Sequence, residues 1–282
     1  MKIALTGGSG KLGRVAVEYL RSSGHEVWNL DRVGERGDRG FIQTDLTDYG
    51  QVIDAIAGVD DRHSGADAIV HLAAIPAPGL APDAATFRNN MLATHSVFQA
   101  ARRLGIKRIA YASSETVLGL PFDIDPPYIP VDEEYETRPE STYSLVKHLE
   151  EHMARQLCRW DPTLSISALR FSNVMVPADY ARFPQFDSDP RARKWNLWGY
   201  IDARDGAQAI EKALLTARPG FEAYIIANAD TVMSRSSASL AAEVFPNVRV
   251  TKELGEHETM LGIDKARRLL GFDPLYSWRQ EA

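Results

Sequence analysis

The sequence predicts an α/β protein: a doubly wound parallel sheet followed by a small C-terminal lobe. Three observations carry this. Short runs of strand type alternate with segments of helical period, several of the runs are apolar enough to be covered on both faces, and a glycine-rich turn separates the first run from the first helical segment.

Lys2–Thr6 is the first strand, KIALT. After the turn, Leu12, Val15, Ala16, Tyr19 and Leu20 recur at helical spacing up to a stop at Gly24. HEVWNLD reads as the second strand and FIQTDL as the third. A helix over Tyr49–Ala57, the strand DAIVHLAA, a long helix over about 86–104, the strand KRIAYAS, a helix over 141–160 and the strand LSISALRF continue the alternation. Proline excludes regular elements from 75–82 and from 119–139, and the mixed charges of 174–194 suit a wall or lid outside the sheet. Beyond Gly199 the pattern gives a helix over 205–217, a strand near 223–227, a helix around Ser237–Val244 and a closing helix over Asp264–Leu270. The expected organisation is a nucleotide-binding body over 1–171, to which 198–217 returns, with 172–282 mainly a substrate lobe.

Composition narrows the function. The apolar fraction of 44% and charged fraction of 25% are those of an ordinary globule, and a formal charge of −6 with no basic block argues against a nucleic-acid partner. The single cysteine, Cys158, cannot form an intrachain disulfide and reads as a packing residue. Seven scattered histidines form neither HExxH nor a His/Cys grouping, so no metal site is expected. The first residues run into glycines without a cleavage-like segment, and no window has the length of a membrane span, so the cytoplasm is the expected location and no membrane contact is foreseen.

The turn GGSGKLG carries the first chemistry. Gly7 allows the tight turn, Gly10 the close approach of backbone to a pyrophosphate, and Gly13 close packing of helix on strand; Lys11 and Leu12 lie between them at the positive end of the helix. This makes the body Rossmann-type. Asp31 closes the second strand eighteen residues after Gly13, where a carboxylate accepts from both adenosine ribose hydroxyls. A carboxylate there repels the extra phosphate of NADP and favours NAD, whereas Arg32 beside it, able to stack on adenine or pair with that phosphate, keeps NADP as an alternative. Asp45 and Leu46 suit the adenine pocket as an acceptor and an apolar wall, although Asp45 is equally suited to cap a turn.

Tyr143 and Lys147, four apart in STYSLVKHLEE, stand on one helix face. With TGGSGKLG (6–13), Asp31, DL at 45–46, HLAA (71–74), Asn90 with Thr94, YASSETVLG (111–119), YSLVK (143–147) and LRFSNV (169–174), the chain resembles an extended short-chain dehydrogenase/reductase of the NAD-dependent epimerase/dehydratase family, of nucleotide-sugar epimerase type. These stretches cover most of the chain in the family's order.

The resemblance implies a catalytic hydroxyl on Ser114, with Ser113 as the neighbour that competes for the role. It also implies a base in Tyr143, assisted by Lys147. Leu72, Ala73, Ala74 and Asn90 would join Tyr143 and Lys147 in contacting or organising the cofactor. Ser113, Ser114, Glu115 and Asn173 would meet the substrate, and the long helices would form a homodimer. His71 is expected near the pyrophosphate and not as a catalyst. A phenol of pKa about 10 is a poor base near neutrality. Lys147 and the positive nicotinamide ring favour phenolate, which accepts a hydroxyl proton while hydride leaves the carbon for the ring and Ser114 holds the oxygen. Leu145 and Leu149 read as packing residues; Glu133 and Glu134 as facing water; Glu150 and Glu151 as meeting solvent or a partner subunit.

Where sugar dehydratases of this family present Thr-Asp-Glu, this chain has Ser114, Glu115 and Thr116, which disfavours dehydration; Leu118 replaces the family's Tyr. The expected function is NAD-dependent epimerisation of a sugar, nucleotide-linked as in a UDP-glucose 4-epimerase, by transient hydride transfer. The small lobe suggests an alternative: NAD-dependent oxidation of a free sugar or uronic acid to its lactone, with Arg170, Arg182, Arg191, Arg193 or Arg204 holding a carboxylate. A non-catalytic NAD-binding regulatory protein is the third reading, weakened because Ser114, Tyr143 and Lys147 are all present.

Overall fold

The computed structural model describes residues 1–34, 37–38, 40–59 and 62–281. β1 (Lys2–Thr6) leads through the glycine turn into α1 (Lys11–Ser22), and β2 (Glu26–Asp31), β3 (Phe41–Gln43), α2 (Tyr49–Ala57) and β4 (Ala68–His71) follow. Next come α3 (Asp83–Arg103), β5 (Arg108–Ser114), the two-residue β6 (Tyr128–Ile129), α4 (Thr142–Trp160), β7 (Ser165–Phe171) and β8 (Val174–Met175). Two 3-10 stretches, Pro177–Ser188 and Pro190–Asn196, precede β9 (Ile201–Asp202), α5 (Ala203–Leu215) and β10 (Gly220–Ile226). The remaining elements are α6 (Ser237–Val244), β11 (Arg249–Val250), α7 (Asp264–Leu270) and α8 (Trp278–Glu281).

The main sheet has seven parallel strands in the order β10-β7-β5-β4-β1-β2-β3. The centres of its strands are apolar because both faces are covered. Ala4, Trp28, Ile69 and Ile109 pack under Val97 and Phe98 of α3 and Leu157 of α4, while Ile3, Leu5, Val70 and Leu169 pack under Leu20 of α1 and Ile210 of α5. Strand order reverses between β1 and β4, which opens a crevice at their carboxyl ends, the place where such sheets hold ligands.

A second centre, around Phe122, Ile129, Phe183, Trp198, Tyr200, Met233 and Leu261, forms the lobe. The segment 174–194 supplies part of it as short strand and 3-10 turns. The body takes more of the later chain than 198–217: β10 lies in the sheet, and Ala266 and Leu270 of α7 join the α1 and α5 side. α5 starts earlier than the apolar period suggests because Asp202 caps it, accepting from Arg204 N at 2.8 Å.

Two surface expectations need correction. Glu133 is half-buried and not turned to water: it accepts from Ile225 N at 2.7 Å, and burial raises its pKa, whereas Glu134 is exposed. Leu145 does not pack inward but is 40% exposed. Cys158 is buried in the core, where burial pushes its thiol up to about 11. Among the described residues no helix is long and apolar enough to cross a membrane.

Candidate active site

The start of α4 fixes the reactive pair. Ser141 and Ser144 form a reciprocal cap, Ser144 N donating to Ser141 Oγ at 3.1 Å and Ser141 N to Ser144 Oγ at 2.8 Å. Tyr143 therefore stands in the first turn and Lys147 one turn deeper. Both line a cleft of about 770 Å³ that also takes in Gly7, Gly10, Lys11, Leu12, Gly13 and Asp31.

β5 supplies the third member. Ser113 and Ser114 point to opposite sides of the strand, and Ser113 is occupied: its Oγ donates to Glu151 Oε1 at 2.7 Å. Ser114 faces the cleft, caps the 3-10 turn Glu115–Leu118, and accepts from Thr116 N at 3.1 Å and Thr116 Oγ1 at 3.0 Å. Both acceptor positions are thus filled, which leaves its proton for a partner in the cleft it shares with Tyr143. Both serines line the cleft, and Ser114 is the one whose hydroxyl proton is not already given to Glu151.

Burial pushes Tyr143 above its ordinary pKa, and the Lys147 ammonium and Ser114 hydrogen bond pull in the other direction without overcoming it. Lys147 is 2% exposed. Burial opposes its charge, but the Glu150 carboxylate outweighs this and holds the ammonium above its usual pKa. Two of its donors are spent, on Ala112 O at 2.8 Å and Glu150 Oε2 at 2.9 Å. The third is left for the cleft.

Glu150 and Glu151 are the clearest correction. Neither meets solvent: Glu150 is 0% and Glu151 2% exposed. Glu151 receives Arg170 Nε at 2.9 Å and Nη2 at 2.8 Å, so Arg170 is committed to a buried bidentate pair and unavailable to a substrate. The other arginines are also placed elsewhere. Arg182 pairs with Asp179, Arg191 reaches Glu243 O, Arg204 pairs with Asp202, and Arg193 is stacked beside Phe186 and Trp195, with burial pushing it down to about 10. None of the five lines the cleft.

The turn meets the geometric demands of a dinucleotide. Gly7 has φ of +77°, and a Cβ there would stand 2.6 Å from Ala73 N; at Gly13 a Cβ would stand 2.1 Å from Gly7 O. Gly10 is open apart from Gly7 O at 3.4 Å, which leaves the backbone accessible where a pyrophosphate would lie. Leu72 and Ala73, against which Gly7 packs, and Ala74 also line the cleft. Asp31 accepts from Ser9 N at 3.1 Å and Arg32 N at 2.7 Å, which places its carboxylate at the rim. The residues fit a dinucleotide.

Three predicted contacts are indirect. Asp45 is not on the cleft wall: it caps its turn through Thr47 N at 2.9 Å and Thr47 Oγ1 at 2.7 Å and holds Arg32 at 2.9 Å, and these bonds, the one from Arg32 first, lower its pKa to about 2. Leu46 does line the cleft. Asn90 also stays off the wall and clamps the backbone of Ile75, accepting from its N at 2.8 Å and donating to its O at 3.1 Å, so it shapes the wall from behind. His71 is buried in β4, accepting or donating to Thr6 and Thr94, and burial with the nearby Lys147 pushes it down to about 3.

The substrate end is lined by Glu115, Thr116, Ser172, Asn173 and Trp195. Trp195 gave no sequence signal, since it sits in an irregular segment. Glu115 accepts from Ser172 Oγ at 2.5 Å and Asn196 Nδ2 at 3.2 Å, and burial raises its pKa to about 7. A carboxyl raised in this way binds its proton more tightly folded than unfolded, so its stabilisation is full below the unfolded value of 4.5 and is lost as pH rises through about 7. Glu115→Gln should therefore match the parent near pH 4 and exceed it at pH 8 by on the order of 3 kcal/mol. Urea unfolding at the two pH values checks this; equal pH dependence would contradict it.

Such a cleft, with a phenol, an ammonium and a hydroxyl at one end and a dinucleotide turn at the other, defines a short-chain dehydrogenase/reductase. Residues 3–227 match the NAD dependent epimerase/dehydratase family, and the chain belongs to that family. It is 26% identical over 216 residues to the UDP-glucose 4-epimerase of Bacillus subtilis (strain 168), across 71% of this chain and 60% of that protein. Over 158 residues it is 32% identical to the uronate dehydrogenase of Pseudomonas syringae pv. tomato, across 54% of this chain and 52% of that one. The structure resembles that of a UDP-galactose 4-epimerase at a TM-score of 0.69 and 25% identity, covering 98% of this chain and 94% of the other. The chain thus spans about 60% of the length of the curated epimerases it matches.

Proposed function

We propose that this protein is an NAD-dependent sugar epimerase acting on a nucleotide-linked sugar, in the manner of a UDP-glucose 4-epimerase. The observation that carries the reading is that Tyr143, Lys147 and Ser114 open on the same cleft as the glycine turn and Asp31. The body holds the cofactor and the lobe holds the sugar. NAD, when bound, supplies a reversible hydride acceptor and a positive ring beside the phenol. The Gly7 to Gly13 turn, Asp31, Leu46 and Leu72 to Ala74 hold it. Arg32 is paired with Asp45 at 2.9 Å, and the Asp31 carboxylate on the cleft wall repels an added ribose phosphate, in favour of NAD.

Tyr143 takes the proton of a sugar hydroxyl, Ser114 donates to the same oxygen as it becomes a carbonyl, and Lys147 keeps the phenolate charge in place. Burial first, with the Glu150 and Glu115 carboxyls adding to it, holds the proton on Tyr143 against the pull of Lys147, so a second positive charge beside the phenol favours the base. Epimerisation then needs the keto sugar to turn and be reduced on its other face. The long helices α3 and α4, which expose Phe87, Leu92 and Leu145, pair two copies in this reading.

Oxidation of a free uronate is the second reading, favoured by the 32% identity to uronate dehydrogenase. The lack of an arginine on the cleft wall among the five candidates weighs against it. Purified protein incubated with NAD and a panel of UDP-sugars, free aldoses and uronates decides between them. An isomerised nucleotide-sugar without net NADH is expected; net NADH from a free sugar or uronate rejects the epimerase.

A further inference from the structure

Behind Lys147 runs a buried chain of side chains that proton abstraction at Tyr143 does not itself require. Glu150 accepts from Lys147 at 2.9 Å on one oxygen and from Thr94 Oγ1 at 2.8 Å on the other. Thr94, having given its proton to the carboxylate, must accept from His71 Nε2 at 3.0 Å. His71 is neutral, since burial and Lys147 hold its pKa down to about 3, so its Nδ1 accepts from Thr6 Oγ1 at 2.7 Å. Thr6 in turn accepts from Ala73 N at 3.4 Å, the backbone atom against which Gly7 packs. Every proton in the chain points toward one carboxylate, an arrangement in which successive bonds polarise one another.

We propose that Glu150 is a positioning residue: it fixes the Lys147 ammonium beside Tyr143 and, through Thr94, His71 and Thr6, ties it to the backbone that meets the glycine turn. The inference rests on the reading of Tyr143 as the base of a hydride transfer. Helix geometry makes it specific. Residues 143, 147 and 150 follow one another at four and three positions, so the phenol, the ammonium and the carboxylate share a stripe, and all three are buried. Lys147 is held from two sides, by β5 through Ala112 and by its own helix through Glu150, with one donor left toward the cleft.

The charge balance gives a test that packing alone would not meet. The charged or titratable groups facing Tyr143 and Lys147 are Glu150 and Glu151 from the same helix, Glu115 after β5 and His71 from β4, with Glu151 already neutralised by Arg170. Glu150 therefore opposes ionisation of Tyr143 while it retains the proton on Lys147. Removing its charge moves both titrations down.

The phenolate absorbance of the full chain, taken as the difference from Tyr143→Phe in each background and with NAD present or absent, reads Tyr143 without any substrate. Glu150→Gln should lower the Tyr143 midpoint by about one pH unit or more. The alkaline limb of nucleotide-sugar turnover should move the same way. Thr94→Val, which removes one donor from the carboxylate without removing its charge, leaves that charge less screened and should give a smaller shift in the opposite direction, and it decides the matter alone if circular dichroism shows that Glu150→Gln does not fold. Unchanged midpoints in the folded variants overturn the proposal even if turnover falls. Full activity in Tyr143→Phe would instead overturn the hydride-transfer reading, so the two failures are distinguishable.

Discussion

Tyr143→Phe should lower turnover about 10³-fold, within the range by which a positioned acid or base accelerates proton transfer, while leaving NAD affinity near that of the parent. The ring fills the same buried volume, and only the oxygen is lost. That oxygen shares the cleft with Ser114 and Lys147, whose ammonium lies 6.0 Å from the ring centroid. Without it the sugar hydroxyl has no acceptor in the cleft that is supported by a neighbouring cation. Turnover and calorimetric NAD binding, measured on one preparation, check the prediction; unchanged turnover would contradict it.

The second large effect concerns stability. Arg170→Met leaves Glu151 as an unpaired buried carboxylate, and breaking such a pair costs about 3–5 kcal/mol. The pair is bidentate and sealed, with side-chain exposures of 2% and 3%. Ser113 would remain as the main donor to Glu151, too little to hold an isolated charge. The double variant Arg170→Met with Glu151→Leu should recover most of the loss, because apolar residues of similar volume remove the charge together with its partner. Urea unfolding of the parent, the single and the double variant measures this. A single variant as stable as the parent would show that the carboxylate finds another partner or binds a proton.

Much of the architecture was legible because its signals are local. The period of Leu12 to Leu20, the glycine turn and the apolar strands each follow from what a residue needs from its own element, and the structure returns α2, α6 and α7 over the ranges read from the sequence. Ser114, Tyr143 and Lys147 were legible through resemblance, and their meeting in one cleft could only be seen in three dimensions.

The errors also have causes. Glu150 and Glu151 were assigned to the surface by charge alone, although their phase relative to Tyr143 and Lys147 places them on the buried stripe; periodicity outweighed composition. Leu145 is the mirror case, an apolar side chain whose phase turns it outward. Arg170 could not be excluded as a substrate ligand from the sequence because its partner lies nineteen residues away on another element. Trp195 and Ser172 reach the cleft from segments without a regular period, where spacing carries no information about direction.

In the proposed reaction hydride leaves the sugar and returns to it within one cleft. UDP-glucose carrying deuterium at every ring carbon, incubated with the protein and NAD and followed by NMR and absorbance, puts this to the test. The expected product is an epimerised nucleotide-sugar that retains all of its deuterium, with no accumulation of NADH. Replacement of a ring deuterium by solvent hydrogen, or deuterated NADH accumulating without an epimer, would contradict it.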